Sequence, residues 1–139
     1  MDIVEEAIQV LETRLTRGDY VVSNSDSVKD FLRLKYAEAE LEIFSVVLMD
    51  SHHCVLEHIE LFFGTIDKAS VYPREIMKVA LKLNAAAIIL VHNHPSHDPE
   101  PSQSDIAITR KIKEILDIRL LDHVIVGLDT ISMAERGLI

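Results

Sequence analysis

The sequence contains only one cysteine, Cys54, so no disulfide can form within the chain and a reducing compartment is favoured. It also lacks any apolar run of the roughly 18 residues that a membrane-spanning helix needs. The first six residues carry three acidic side chains and no basic one, which is unlike the start of a signal peptide. These absences predict a cytoplasmic protein with no membrane segment.

Basic residues are also scarce, with 14 Lys and Arg against 23 Asp and Glu and a net charge of −9 when His is neutral. Domains that bind DNA tightly usually present a basic surface to the phosphates, so direct DNA binding is disfavoured. The 139 residues show no repeat, low-complexity tract or linker, and nothing in them indicates an oligomeric state. Their apolar fraction of 48% suits one domain over residues 1–139, with a helical part over about 1–40 and a core over 41–139.

The apolar pattern predicts alternating helices and strands. Helical spacing covers four segments, at about residues 2–16, 27–35, 73–83 and 102–116. Strand-like runs cover five segments, at about 43–49, 54–62, 86–92, 119–126 and 130–133. The first two strands would form a hairpin with His52 and His53 in its turn, and the third, apolar on both faces, would lie inside a sheet. Ser27 would cap the second helix. We therefore expect an α/β (α+β) fold in which helices pack against a mixed sheet.

Two histidines, His92 and His94, stand at the end of the most apolar predicted strand. In an extended chain they project from the same face, where one cation could bridge both imidazoles. A catalytic zinc usually takes three protein ligands and keeps one position for water. Asp105 is the natural third candidate, because a buried carboxylate needs a partner. Helical spacing places it on an inward stripe with Ile108, Ile112 and Ile115.

A simpler interpretation of the same residues involves no metal. Ser102 and Asp105 have the spacing of a capping box, with Asp in place of the preferred Glu. Ser102 would then be the N-cap of the last predicted helix, and both residues would be explained by local structure. The pair His-x-His is also a weak signal by itself, whereas the whole spacing His-x-His-x7-Ser-x2-Asp is a specific one. The sequence leaves both interpretations of Ser102 and Asp105 open.

That spacing resembles the JAMM (MPN+) metalloprotease motif, and the surrounding residues resemble its bacterial RadC branch from about Glu42 onward. The matching segments are Tyr72–Glu75, Leu83–Ser96, Pro101–Ser102 with Asp105–Ile106, and Leu121–Gly127. The resemblance implies a JAMM/MPN-like fold, similar to that of cytidine deaminases, with a mixed sheet packed against helices. Full-length RadC proteins carry an N-terminal helix-hairpin-helix region that we do not see here, so the chain resembles the isolated catalytic domain.

The resemblance also implies residue roles. His92, His94 and Asp105 would bind zinc, Glu42 matches the family's catalytic glutamate, and Ser102 would steady the oxyanion. Zinc would supply a water of lowered pKa, whose proton Glu42 would take and pass to the leaving amine. The implied activity is zinc-dependent hydrolysis of a peptide or isopeptide bond in an unidentified protein substrate. The alternatives are a non-catalytic interaction domain and, as the RadC name suggests, an accessory of DNA repair or recombination.

Three further residues carry expectations. His97 stands where the family usually has Gly, which adopts positive φ at low cost, so the loop would differ slightly. We expect His97 to be an exposed loop residue, with an extra metal ligand or a substrate contact as the alternatives. His123 is expected to be a hydrogen-bonded or core residue that could orient a ligand. Cys54 is expected to pack in the core.

Overall fold

Every predicted helix and strand forms in the computed structural model, which describes residues 2–16, 26–65 and 71–139. The helices are α1 Ile3–Thr16, α2 Asp26–Tyr36, α3 Pro73–Lys82 and α4 Gln103–Ile115. The strands are β1 Ile43–Met49, β2 Val55–Phe63, β3 Ala87–Asn93, β4 Arg119–Val126 and β5 Thr130–Ser132. The predicted ends differ from these by about one residue, which is within the usual uncertainty of element boundaries.

The five strands form one mixed sheet in the order β2-β1-β3-β4-β5. Strand β1 pairs antiparallel with β2 and with β3, β3 pairs parallel with β4, and β4 pairs antiparallel with β5. The predicted hairpin is therefore confirmed as β1 and β2. All seven residues of the central strand β3 are buried, which explains why its sequence is apolar on both faces. The mixed sheet with its helices confirms the predicted fold class.

Helices cover both faces of the sheet, and each face has its own core. On one face, α1 and α2 pack on one alternating set of strand residues, which includes Ile89. On the other face, α3 and α4 pack on the intervening set, which includes Ile88. Because side chains alternate along a strand, His92 continues the face of α3 and α4, and Asn93 continues the opposite face. The end of β3 therefore presents neighbouring polar residues in opposite directions.

The helices are too short to span a bilayer. The longest that the structure describes, α1, has 14 residues. None in the three described ranges is long and apolar enough to cross a membrane, in agreement with the sequence. Helix α2 begins at Asp26, so Ser27 lies inside it, and the side chain of Ser27 falls outside the described residues.

Two expectations about buried side chains are wrong. Ile115, expected on the inward stripe of α4, is 52% exposed, whereas Leu116 is buried. The helix ends at Ile115 and Leu116 takes an extended conformation, so the apolar side chain that turns inward comes one residue later. Cys54, expected in the core, is only partly buried because it lies at the turn before β2. Its backbone N–H donates to Asp50 Oδ1 at 3.0 Å, which ties it to that turn.

Candidate metal centre

His92, His94 and Asp105 lie next to one another where the chain passes from β3 to α4. His92 lies in β3, His94 follows the strand, and Asp105 lies in the first turn of α4. The Nδ1 atom of His92 is 2.9 Å from Asp105 Oδ1, and the Nε2 atom of His94 is 3.1 Å from Asp105 Oδ2. One candidate ligand atom from each residue lies within 4.8 Å of the other two. The three predicted ligands therefore form one possible metal site.

His92 gives the strongest indication that a metal fits here. The residue is 2% exposed, yet neither ring nitrogen makes a hydrogen bond within the described residues. The 2.9 Å approach of Nδ1 to Asp105 has the length of a hydrogen bond but not its direction. A buried polar atom left in this state costs about 1–3 kcal/mol. A metal ion would satisfy such an atom, and imidazole nitrogen with carboxylate oxygen is a donor set that zinc accepts.

His94 is oriented for the same role by its own loop. Its Nδ1 atom lies 2.9 Å from the backbone carbonyl oxygen of Asp98. A carbonyl only accepts, so Nδ1 carries a hydrogen and Nε2 is the nitrogen available to a metal, as in most metal-binding histidines. Without a metal, the hydrogen bond to Asp105 raises the pKa of His94, and burial partly opposes this shift. A proton and a metal ion would therefore compete for Nε2.

The capping box that the sequence suggested is also present. The Asp105 N–H donates to Ser102 Oγ at 3.0 Å, and the Ser102 N–H donates to Asp105 Oδ2 at 2.8 Å. Neither bond uses Asp105 Oδ1, which faces His92. Ser102 accepts through its oxygen, so its hydroxyl hydrogen remains able to donate elsewhere. The capping interpretation is correct, and it is compatible with metal binding by Asp105.

Asp105 is held as an anion. It is 2% exposed, and burial alone would raise its pKa. The adjacent rings of His92 and His94 and the N–H of Ser102 outweigh this effect and lower the pKa of Asp105 well below its usual range. A buried carboxylate that stays charged is a suitable ligand for a divalent cation.

Glu42 reaches the same site from the neighbouring strand. Pairing of Phe44 with His92 places the residues just before β1 beside the end of β3. The Oε2 atom of Glu42 is 3.8 Å from His92 Nε2, and its side chain is 31% exposed. The carboxylate is therefore close to the candidate ligands and still open to solvent. Glu42, Ser102 and all three candidate ligands line one open cleft of about 700 Å³.

Thr109 supports the site, although sequence reasoning missed it. Its hydroxyl donates to the backbone oxygen of Asp105 at 2.6 Å, so its oxygen accepts from His123 Nδ1 at 2.5 Å. His123 is fully buried, which lowers its pKa to about 3 and keeps it neutral. The expectation of a hydrogen-bonded core residue at His123 is confirmed. Thr109 is four residues after Asp105 on one helix, and that spacing was the available signal.

His97 stands where the family usually has Gly, and it adopts a backbone conformation that favours glycine. His97 is exposed and has a φ of 72°, in the left-handed region, so the expected exposed loop histidine is confirmed. Its carbonyl accepts from the Leu128 N–H at 2.7 Å. A Cβ at Gly127 would lie 2.6 Å from the same carbonyl oxygen, so only glycine allows this close approach. The loop that carries His94 therefore rests on the end of β4.

Comparison with known proteins gives one consistent family. The family model described as RadC-like JAB domain matches residues 22–138. A UPF0758 protein from Vibrio cholerae serotype O1 is 51% identical over 138 residues, covering 97% of this chain and 87% of that protein. A second UPF0758 protein of the same strain is 46% identical, covering 98% and 88%. A UPF0758 protein from Shewanella baltica (strain OS185) is 48% identical, covering 96% of this chain but 60% of that protein.

Proposed function

This chain belongs to the family of RadC-like JAB domains, and on that basis we propose that it is a zinc-dependent hydrolase of peptide or isopeptide bonds. One observation carries the proposal. His92 is buried at a cleft with neither ring nitrogen in a hydrogen bond, while His94 and the Asp105 carboxylate lie against it. Two imidazoles and one carboxylate are the protein ligands found in many catalytic zinc sites.

His92, His94 and Asp105 would hold the metal. When bound, zinc lowers the pKa of a coordinated water to about 7 and polarises a carbonyl, which is what hydrolysis at neutral pH requires. Phe44 and His123, both fully buried, pack against the His92 ring from behind. The wall of the site is therefore dry on that side, and electrostatic interactions act more strongly there than in water.

Glu42 would be the general base. Its carboxylate is open to the cleft and 3.8 Å from the His92 ring, so it can accept a proton from a water held beside the ligands. The same carboxylate can return that proton to the leaving amine, because both events occur on the cleft side of His92. No other carboxylate combines this distance from the His92 ring with exposure among the described residues, since Asp105 is buried and engaged in the cap.

Ser102 would donate one hydrogen bond to the oxyanion. Its oxygen already accepts from the Asp105 N–H, which orients the hydroxyl at the helix start and leaves its hydrogen free. In a well-studied protease, removal of one such donor lowers the rate by about 10²–10³. Capping and oxyanion binding therefore use different parts of one hydroxyl group.

Metal content tests the ligand assignment directly. We expect about one zinc per chain in the wild type and in Glu42→Gln, and little in His92→Ala or Asp105→Asn. Asp105→Asn is preferred to Ala because an amide oxygen can still accept from the Ser102 N–H. Equal zinc in all four proteins, measured by plasma mass spectrometry after dialysis, would refute the site.

A screen of peptide and lysine-isopeptide libraries then tests the reaction. Wild type should cleave at least one class of substrate, whereas Glu42→Gln should bind zinc but cleave that substrate only at a low residual rate. A Glu42→Gln protein that turns over the same substrate at the wild-type rate would remove Glu42 from the mechanism. A wild type that binds zinc but cleaves nothing would favour the interaction-domain alternative.

A further inference from the structure

Asn93 stands between the two histidine ligands in sequence but faces away from His92. It is 2% exposed, and strand alternation directs it to the sheet face opposite His92. The β1–β3 ladder ends at the pair Phe44 and His92, so the residues before Phe44 have no strand partner on β3. The Asn93 side chain bonds this stretch of backbone on its β3 side.

Two hydrogen bonds join Asn93 to the backbone on either side of Glu42. The Ile43 N–H donates to Asn93 Oδ1 at 2.6 Å, and Asn93 Nδ2 donates to the Leu41 carbonyl oxygen at 2.9 Å. The Leu41 carbonyl belongs to the peptide group before the Glu42 Cα atom, and the Ile43 N–H belongs to the one after it. The relative orientation of these two peptide groups is set by φ and ψ of Glu42. One buried carboxamide therefore restrains the backbone angles of Glu42.

A third contact completes this support. The carbonyl oxygen of Glu42 accepts from the Gly64 N–H at 2.9 Å, which ties the same backbone to the end of β2. The side chain of Glu42, in contrast, is 31% exposed in the cleft, with His92 Nε2 3.8 Å away. The Glu42 backbone therefore sets the point from which its side chain extends toward the cleft.

The chemistry requires asparagine rather than a residue of similar size. Asn offers one acceptor and two donor hydrogens on a short side chain, and the two backbone groups here require one of each. Asp would set a second acceptor against the Leu41 carbonyl oxygen, and Leu or Ala would offer neither partner. The assignment of the amide oxygen and nitrogen follows from the same requirement, because the reverse orientation would satisfy neither bond.

We propose that Asn93 is a positioning residue that holds Glu42 at a set distance from the metal ligands. The inference rests on the proposed function, in which Glu42 is the base. Asn93 is bonded covalently to both His92 and His94, so the residue that clamps Glu42 moves with the ligands. A displacement of the β3 end would carry the base along with the metal site and preserve their separation.

The test uses Asn93→Ala and Asn93→Asp, with Tyr36→Phe as the matched control. Tyr36 is also buried on the α2 side, and its hydroxyl contacts Ser45, His58 and Glu60 rather than the backbone around Glu42. Amide hydrogen exchange measures the protection of the Ile43 N–H by Asn93, and it needs no substrate. We expect the Ile43 amide to exchange at least about tenfold faster in Asn93→Ala and to be unchanged in Tyr36→Phe. Unchanged Ile43 exchange in Asn93→Ala would show that Asn93 does not hold the backbone next to Glu42.

Turnover of a fluorogenic pool of peptides and lysine isopeptides separates positioning from general destabilisation. Both Asn93 variants should keep zinc, because the ligands are intact, and should lower kcat by about 10–100-fold, as typical for residues that orient a reacting group. In a Glu42→Gln background the Asn93 change should not lower the residual turnover any further, because the base is already absent. Equal losses in both backgrounds would assign Asn93 a merely structural role.

The two proposals fail in different ways. If the wild type binds zinc and cleaves the pool while Asn93→Ala is equally active, the role of Asn93 is wrong and the hydrolase proposal stands. If the wild type binds no zinc and cleaves nothing, the hydrolase proposal is wrong, and positioning of a base by Asn93 is wrong with it.

Discussion

Ser102 and Asp105 exchange two hydrogen bonds across the first turn of α4, one from each backbone N–H to the other's side chain. The pair caps the helix, and it leaves Asp105 Oδ1 facing His92 and the Ser102 hydroxyl hydrogen unused. Local stability and the proposed chemistry thus depend on the same two residues. Substitutions at Ser102 can separate them, because the two functions need different properties of the side chain.

Ser102→Ala and Ser102→Gly should differ in stability but not in activity. Loss of a serine N-cap to Ala costs about 0.5–2 kcal/mol, whereas Gly at this position costs only a few tenths. Both variants lack the hydroxyl, so both should lose hydrolysis by about 10²–10³. Urea unfolding and turnover of a confirmed substrate are the measurements. Activity that follows stability, with Gly close to wild type, would show that Ser102 acts only as a cap.

Zinc should stabilise the wild type against unfolding. A ligand at about 100 times its Kd adds roughly 2.7 kcal/mol to the free energy of unfolding. Differential scanning fluorimetry with added zinc and then with EDTA should therefore raise and lower the Tm of the wild type and of Glu42→Gln. His92→Ala should not respond to either addition. A zinc-dependent Tm in His92→Ala equal to that of the wild type would place the metal elsewhere.

His58 should make the protein sensitive to acid independently of the metal site. It lies under α2, with Nε2 2.9 Å from Ser45 Oγ and 3.1 Å from the Tyr36 hydroxyl. Burial, with a smaller effect of Lys35, lowers the pKa of His58 to about 4. The unfolded chain, with a pKa near 6.5, therefore takes up the proton first, so stability is retained above pH 6.5 and falls as pH drops toward 4.

Between pH 7 and pH 4.5, protonation of His58 should lower the free energy of unfolding of the wild type by roughly 2 kcal/mol, at about 1.36 kcal/mol per pKa unit. His58→Gln lacks this titration, so its stability should fall by that much less over the same range. Urea unfolding in EDTA at the two pH values measures the difference, since other groups titrate equally in both proteins. Parallel loss of stability in the two proteins would show that His58 is not the responsible group.

His97→Gly tests the strain in the loop that carries His94. The left-handed conformation costs a residue other than glycine about 1–2 kcal/mol, whereas glycine adds roughly 0.4–1 kcal/mol of unfolded-state entropy. The net effect should be a stability equal to the wild type or up to about 1.6 kcal/mol higher, with zinc binding retained. His97→Val should be destabilising, because a β-branched residue tolerates positive φ poorly. A stabilising His97→Val would contradict the backbone geometry at φ 72°.

Local patterns in the sequence predicted most of the scaffold and singled out the three residues that the fold groups as a possible metal site. Apolar alternation located the strands, and helical spacing placed Asp105 on the buried side of α4. The same spacing failed at Ile115, because a periodic pattern does not show where a helix ends. The hydrogen bonds of Asn93 to Ile43 and Leu41 join residues that are 50 and 52 positions apart in the sequence. No local sequence pattern indicates such a contact. The orientation of His94 likewise depends on a loop carbonyl, which only the folded chain positions.

The capping box closes the first turn of α4 with the chain's own atoms, and the Asp98 carbonyl orients His94 without help from an ion. In small zinc domains, the chain folds only when the metal binds. Here hydrogen bonds within the protein already orient His94 and Asp105. If zinc binds as proposed, we expect it to exchange with the surroundings while these hydrogen bonds keep the site folded.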